Sequence, residues 1–180
     1  MQSDTEALIE KFCIDTLRAT GLLYQEGLYG HMLVVLYSSI DSMGLLDAPE
    51  NQTSASGHTF KNWVKNYLLP NGEFEFDEGD FWAARCSVLH TFTSESDLSR
   101  SGRAKKLQYY SGPKDSSSAQ AFVEATKYID GGTHAPAHIE DTYLAFLEAL
   151  KVFPNDLLEK CKDNEIYETR LRNLLQRHSI

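Results

Sequence analysis

The segment from Tyr29 to Leu46, YGHMLVVLYSSIDSMGLL, limits the possible folds more than any other part of the chain. Its first half, Met32 to Tyr37, is apolar on every side of a helix, while its second half carries Ser38, Ser39 and Asp41. A helix apolar all round cannot lie on a surface, so other elements must enclose it. Gly27 and Gly30 punctuate the chain before it. Asp41 is the polar spot on this helix, and a carboxylate in such surroundings needs a partner. Arg85 is the candidate.

The elements available to enclose it are mostly helical. Ser3-Asp4-Thr5-Glu6 has the form of a capping box. Leu8, Ile9, Phe12, Cys13, Leu17 and Leu22 follow it at helical spacing. The stretch from Asp47 to His58 reads as a loop, and Phe60, Trp63, Val64, Tyr67 and Leu68 form a short helical stripe ended by Pro70-Asn71-Gly72. Asp77 and Asp80 place negative charge at the start of a helix over Glu78 to Leu89, complementing its dipole. Thr91 to Arg103 reads as loop and Lys105 to Tyr110 as a short strand, while Ala121 to Ile129 fits either period. A second strand is expected over Ala135 to Ile139, paired near Tyr109. Two helices close the chain, one from Glu140 to about Val152, stopped by Pro154, the next from Asn155 or Asp156 to Gln176 with a break near Lys162-Asp163-Asn164. The expected fold is mainly α: an up-and-down helical bundle over residues 1–180, one domain, with a minor two-stranded β appendage.

With 180 residues and 42% hydrophobic content, the chain can bury a core without disulfides or a structural metal. Cys13, Cys86 and Cys161 are odd in number and widely spaced, which argues against a disulfide framework and a zinc knuckle and implies a reducing, cytoplasmic setting. The acidic start MQSDTEALIEKF lacks the basic-then-apolar order of a secretory signal, and no apolar run approaches a membrane span. The net charge of -9 opposes non-specific binding to a polyanion, so any RNA contact must be local.

Chemistry concentrates in Arg85-Cys86-Ser87-Val88-Leu89-His90. Five residues separate Arg85 from His90, about 140° around an ideal helix. They meet only if the helix ends at or just before His90, if the arginine arm reaches around, or if a second subunit completes the cleft. Together they pair a permanent, forked cation with a base that titrates near neutrality. That combination suits RNA cleavage by the ribose 2'-hydroxyl: the histidine moves the proton and the arginine faces the developing phosphorane charge.

An arginine followed four to six residues later by histidine, late in a core helix of a small all-α domain, resembles the hallmark of the HEPN superfamily. LYSSIDSMGLL (36–46) and AARCSVLHTFTSESDLSRSGRAKK (83–106) look like a bacterial HEPN-like family, so the resemblance spans much of the first two-thirds of the chain. It implies a helical bundle, a homodimer whose two motifs meet at the interface, and metal-independent ribonuclease activity of the toxin–antitoxin or phage-defence kind, with no cofactor. It assigns catalysis to Arg85 and His90. Asp41, by its place on the apolar helix, either supports them by orienting one of the two or forms a buried ion pair with no catalytic duty, and Cys86 stands beside Arg85 as a further supporting candidate. Active members often carry Asn, Asp or His where this chain has Cys86. A second reading therefore stays open: a non-catalytic dimerisation or ligand-binding module recruiting a partner such as an antitoxin protein.

The remaining candidates have bland alternatives. Arg100, Arg103, Lys105 and Lys106 put four positive charges within seven residues, either to grip RNA phosphates or to solvate a loop. Tyr109 and Tyr110 are placed to stack on bases, but strand alternation sends at least one into the core. His134 and His138 have metal-ligand spacing, yet Pro136 between them opposes a helix and no further ligand completes a set. Trp63 and Trp82 are expected as core or interface aromatics. Cys86 is either a nucleophile activated by Arg85 or a small buried hydrophobe.

Overall fold

A computed structural model describes residues 2–174, with side chains from residue 4 onward. The fold is mainly helical with a small two-stranded sheet. Helices α1 (Gln2–Gln25), α2 (Tyr29–Asp47), α3 (Gly57–Trp63) and α4 (Glu78–Thr91) come first. A short α5 (Asp97–Arg100) precedes β1 (Lys106–Tyr110), α6 (Ser117–Tyr128), β2 (His134–His138), α7 (Ile139–Asp163) and α8 (Glu165–Arg172). The side chain of Ser3, expected to cap α1, and the expected helix end at Gln176 both lie outside the described residues.

Helix α2 is enclosed as its composition demands. Met32, Leu36, Tyr37, Ile40 and Met43 are fully buried, each removal from water contributing about 1.5–3 kcal/mol. They join one continuous hydrophobic cluster with Phe60, Trp63, Phe81, Phe146 and Phe153. Gly44 lets α3 approach closely, since a Cβ there would sit 2.6 Å from the Thr59 carbonyl oxygen. The end of α2 is tied to the last two helices. Arg170 donates to the carbonyls of Ala48 at 2.5 Å, Pro49 at 2.7 Å and Gln52 at 2.6 Å, and Lys160 pairs with Asp47 at 2.6 Å. Arg170 also donates to the Leu45 carbonyl at 3.3 Å and Lys160 to that of Asp47 at 3.0 Å, two of the carbonyls that a helix end leaves without helical partners.

Several boundaries differ from the sequence expectation. The loop before α3 ends sooner, because Ser56 and Thr59 form a reciprocal cap that starts the helix at Gly57. A π-helical turn, Val64–Leu68, then continues α3 and buries Val64, Tyr67 and Leu68 together. The predicted loop over Thr91 to Arg103 contains α5, capped by Ser96. The ambiguous stretch is helical as far as Tyr128, within α6, which Ser116 caps, and Ile129 lies just beyond its end. Pro154 lies inside α7 instead of stopping it: Tyr143, Phe146, Leu150, Phe153 and Leu157 form one buried stripe through the proline, whose packing outweighs the missing N–H. The expected break at Lys162-Asp163-Asn164 is present, with Asn164 capping α8.

The two strands pair in parallel, Lys106 opposite His134 and Tyr109 opposite Ala137, with α6 as the crossover. Ile139, expected in the second strand, begins α7. Two contacts fix the sheet against the helices. The Asp80 carboxylate at the start of α4 accepts the Lys105 N–H at 2.6 Å, and the Tyr109 hydroxyl is hydrogen-bonded to that of the fully buried Tyr37. Burial pushes both phenols above the usual tyrosine range, so they stay protonated.

Gly44→Ala tests this close helix packing. Alanine favours a helix by up to about 1 kcal/mol over glycine. Displacing α3 costs about 1–3 kcal/mol, so urea denaturation is expected to show net destabilisation of about 1–2 kcal/mol.

Candidate active site

Helices α2 and α4 run antiparallel. At one end the Phe92 ring abuts Gly30, where a Cβ would lie 2.6 Å from its Cζ; towards the other end Asp41 meets Arg85. Asp77 caps α4, accepting the N–H groups of Gly79 at 2.8 Å and Asp80 at 3.0 Å, so the helix holds its register from the first turn. The helix runs through Thr91, two residues beyond expectation, and closes on Phe92 in the left-handed conformation at φ 54°.

Arg85 is held from three sides. Its Nε and Nη2 donate to Asp41 Oδ2 at 2.8 and 2.6 Å. Its guanidinium carbon lies 4.9 Å from the centre of the Trp82 ring, a cation–π contact. Gly57 allows that ring its place, since a Cβ there would lie 2.8 Å from the indole. The remaining nitrogen, Nη1, lies 3.4 Å from His90 Nε2. Arginine only donates, so in this contact Nε2 accepts and a neutral ring carries its proton on Nδ1.

Of the three ways to bring Arg85 and His90 together, the reaching arginine is the one realised, within a single chain. The expectation that the helix ends at or before His90 is corrected: His90 lies inside α4, and the arginine arm spans the angular gap. The Arg85 and Asp41 side chains are only 19% and 17% exposed, whereas His90 is exposed. The site is therefore a half-buried ion pair with a solvent-facing imidazole at its edge.

Burial pushes the Asp41 carboxyl above the usual carboxylate range, and the Arg85 hydrogen bonds and charge pull it back. Burial likewise raises the Cys86 thiol despite its cationic neighbour. Cys86 is thus a thiol at neutral pH, which disfavours the nucleophile reading. Cys13 and Cys161 are buried, the former pushed up to about 11 by burial.

The basic run is not a four-charge patch. Arg100 is paired with Asp97 and Lys106 with Glu95 at 2.8 Å. Arg103 donates to Ser101 Oγ at 2.8 Å and Lys105 Nζ to the Glu75 carbonyl at 2.9 Å, both neutral oxygens. His134 and His138 lie on β2, engaged with Asp130 and with Glu140 and Asp141. Among the described residues no three His, Cys, Asp or Glu side chains gather as a metal would need, and no helix is long and apolar enough to cross a membrane.

Trp82 is the site residue that sequence reasoning placed elsewhere, as a core or interface aromatic. Its signal was available in the i, i+3 spacing to Arg85, which puts both on one helix face.

Asp41→Ala leaves the guanidinium with no carboxylate in a half-buried place and is expected to cost about 1–3 kcal/mol in chemical denaturation, less than a fully buried pair. The double variant Asp41→Leu with Arg85→Met is expected to recover most of that loss; additive losses would show that the pair contributes no coupling.

Comparison of the chain with family models, with curated proteins and with solved structures finds no match.

Proposed function

We propose that the protein is a HEPN-like, metal-independent endoribonuclease of a toxin–antitoxin or phage-defence type, cytoplasmic, acting as a homodimer. The observation that carries the reading is the 3.4 Å contact between Arg85 Nη1 and His90 Nε2, with Asp41 holding the other two guanidinium nitrogens.

In this reading His90 Nε2 takes the proton from a ribose 2'-hydroxyl as the oxygen attacks the adjacent phosphorus. Arg85 Nη1 donates to a non-bridging oxygen, where negative charge grows in the phosphorane. The bond from phosphorus to the 5'-oxygen then breaks, and that oxygen takes a proton from water while His90 returns its own to solvent. The products are a 2',3'-cyclic phosphate and a 5'-hydroxyl. Asp41 touches no substrate atom in this scheme: it positions Arg85, and Trp82 supports the guanidinium from beneath. Arg103 and Lys105, which donate to neutral oxygens, are the members of the basic run best suited to hold RNA phosphates. In the homodimer that the HEPN resemblance implies, two exposed imidazoles meet across the subunit boundary, and an antitoxin protein is the corresponding partner.

A second reading has its own support. Two of the three Arg85 nitrogens, Nε and Nη2, are committed to Asp41, and Cys86 stands as a neutral thiol in an acidic chain. An arginine held this way by a carboxylate suits a structural ion pair in a non-catalytic dimerisation or ligand-binding module.

RNA cleavage by the purified protein separates the two. His90→Ala and Arg85→Ala are expected to lower the rate by about 10²-fold or more, and Arg85→Lys to restore little because the fork is lost. Equal rates in all four proteins would end the catalytic reading and leave the binding module.

A further inference from the structure

Asp41 has an oxygen to spare. Its Oδ2 receives both Arg85 hydrogen bonds, from Nε at 2.8 Å and Nη2 at 2.6 Å, and among the described residues Oδ1 receives none. An ionised carboxylate accepts at both oxygens, about two bonds to each. Oδ1 is also open rather than sealed in the core. Asp41 lines a cavity of about 300 Å³, bounded by the second half of α2, the segment joining α2 to α3, and the chain at the end of α8.

The wall opposite α2 is fixed. Arg170 Nη1 and Nη2 donate to five main-chain carbonyls, those of Leu45, Ala48, Pro49, Glu50 and Gln52. Gln52 Nε2 donates in turn to the Ser54 carbonyl at 2.7 Å, so the chain is held on both sides of Thr53. The cavity is therefore preformed, as ligand sites ordinarily are. Its surface is mixed: Leu45, Leu46 and Leu174 are apolar, while the side chains of Thr53 and Asn173 have no polar partner among the described residues.

The occupant follows from what these groups lack. Oδ1 needs donors. The Nη hydrogens of Arg170 are spent on carbonyls and Asp41 repels an anion, so a phosphate finds no fork here. A flat, neutral body with two adjacent N–H donors on one edge and an acceptor beside them satisfies every group. Among the RNA bases only guanine has that edge, with N1–H and the N2 amino group side by side and O6 next to them. Adenine and cytosine would turn a bare ring nitrogen towards the carboxylate, and uracil has one N–H between two carbonyls.

We propose that this cavity is a guanine subsite of the candidate ribonuclease. Guanine N1–H and N2–H donate to Asp41 Oδ1, O6 accepts from the Asn173 amide or the Thr53 hydroxyl, and the leucines cover the ring. The cavity is at the small end for organic ligands, a size suited to one base. The subsite rests on the ribonuclease reading and extends the role of Asp41 from positioning Arg85 to reading a base. One carboxylate then ties base to phosphate: Oδ2 sets Arg85 against the phosphate, and Oδ1 holds the base beside it.

Cleavage of a mixed-sequence RNA by the purified full chain is expected to fall next to guanosines. Replacing guanosine by inosine, which lacks only the N2 amino group, is expected to lower the rate there by at least about tenfold. Cleavage without regard to base, or at an unchanged rate beside inosine, would overturn the subsite while leaving the ribonuclease reading intact. If no RNA is cut, that reading fails, and binding decides the cavity. Guanosine titrated into the full chain is expected to shift the backbone amide NMR signals of Thr53 and Ala55 and to bind at least about tenfold tighter than inosine or uridine. Equal binding of the three nucleosides, or none, would overturn the subsite. Ala55→Trp, which puts an indole into this space, is expected to remove the preference for guanosine; a preference that survives it would place the base elsewhere.

Discussion

A helix that is apolar on nearly every side is stable only if other elements exclude water from it, and α2 imposes that condition on the whole molecule. Helices α1, α3, α4, α7 and α8 all pack against it. Even the sheet is tied to it through the hydroxyl pair of Tyr37 and Tyr109. The π-helical turn after α3 and the uninterrupted passage of α7 through Pro154 follow from the same demand. In each, burial of Tyr67, Leu68, Phe153 or Leu157 overrides a local preference of the backbone.

Enclosure also explains the candidate site. Asp41 is the one carboxylate in α2 before its last residue, Asp47, and burial penalises its charge. Arg85 answers that penalty, and its planar fork engages Asp41 through two nitrogens while the third turns to His90. A lysine could not divide itself in this way. The ion pair that makes α2 compatible with its surroundings thus presents a fixed donor beside His90. In the proposed ribonuclease, stability and chemistry are coupled at this point: Asp41 positions Arg85, and Arg85 meets His90.

Much of this was legible in the sequence. The all-round apolar pattern of α2, the Asp77 cap and the isolated carboxylate at position 41 predicted the buried helix, the start of α4 and the Asp41–Arg85 pair from elementary rules of burial. Boundaries governed by tertiary packing were not. Pro154 is a stop signal locally, and only the stripe on both sides of it, packed against α1 and the α3 region, keeps α7 whole. The meeting of Arg85 with His90 was legible as a spacing but not as a geometry. An angle of about 140° on a helix excludes direct contact of short side chains, and only the structure shows the arginine arm closing that gap. Likewise, four clustered positive charges did not reveal that Asp97 and Glu95 neutralise two of them.

The chemical nature of the cleaved ends tests the role of Arg85 and His90 most directly. Mass spectrometry of a short RNA after incubation with the purified protein is predicted to show fragments ending in a 2',3'-cyclic phosphate, and none from the same oligonucleotide carrying 2'-O-methyl groups. Cleavage of the methylated oligonucleotide, or fragments bearing 5'-phosphates, would contradict transesterification at this site.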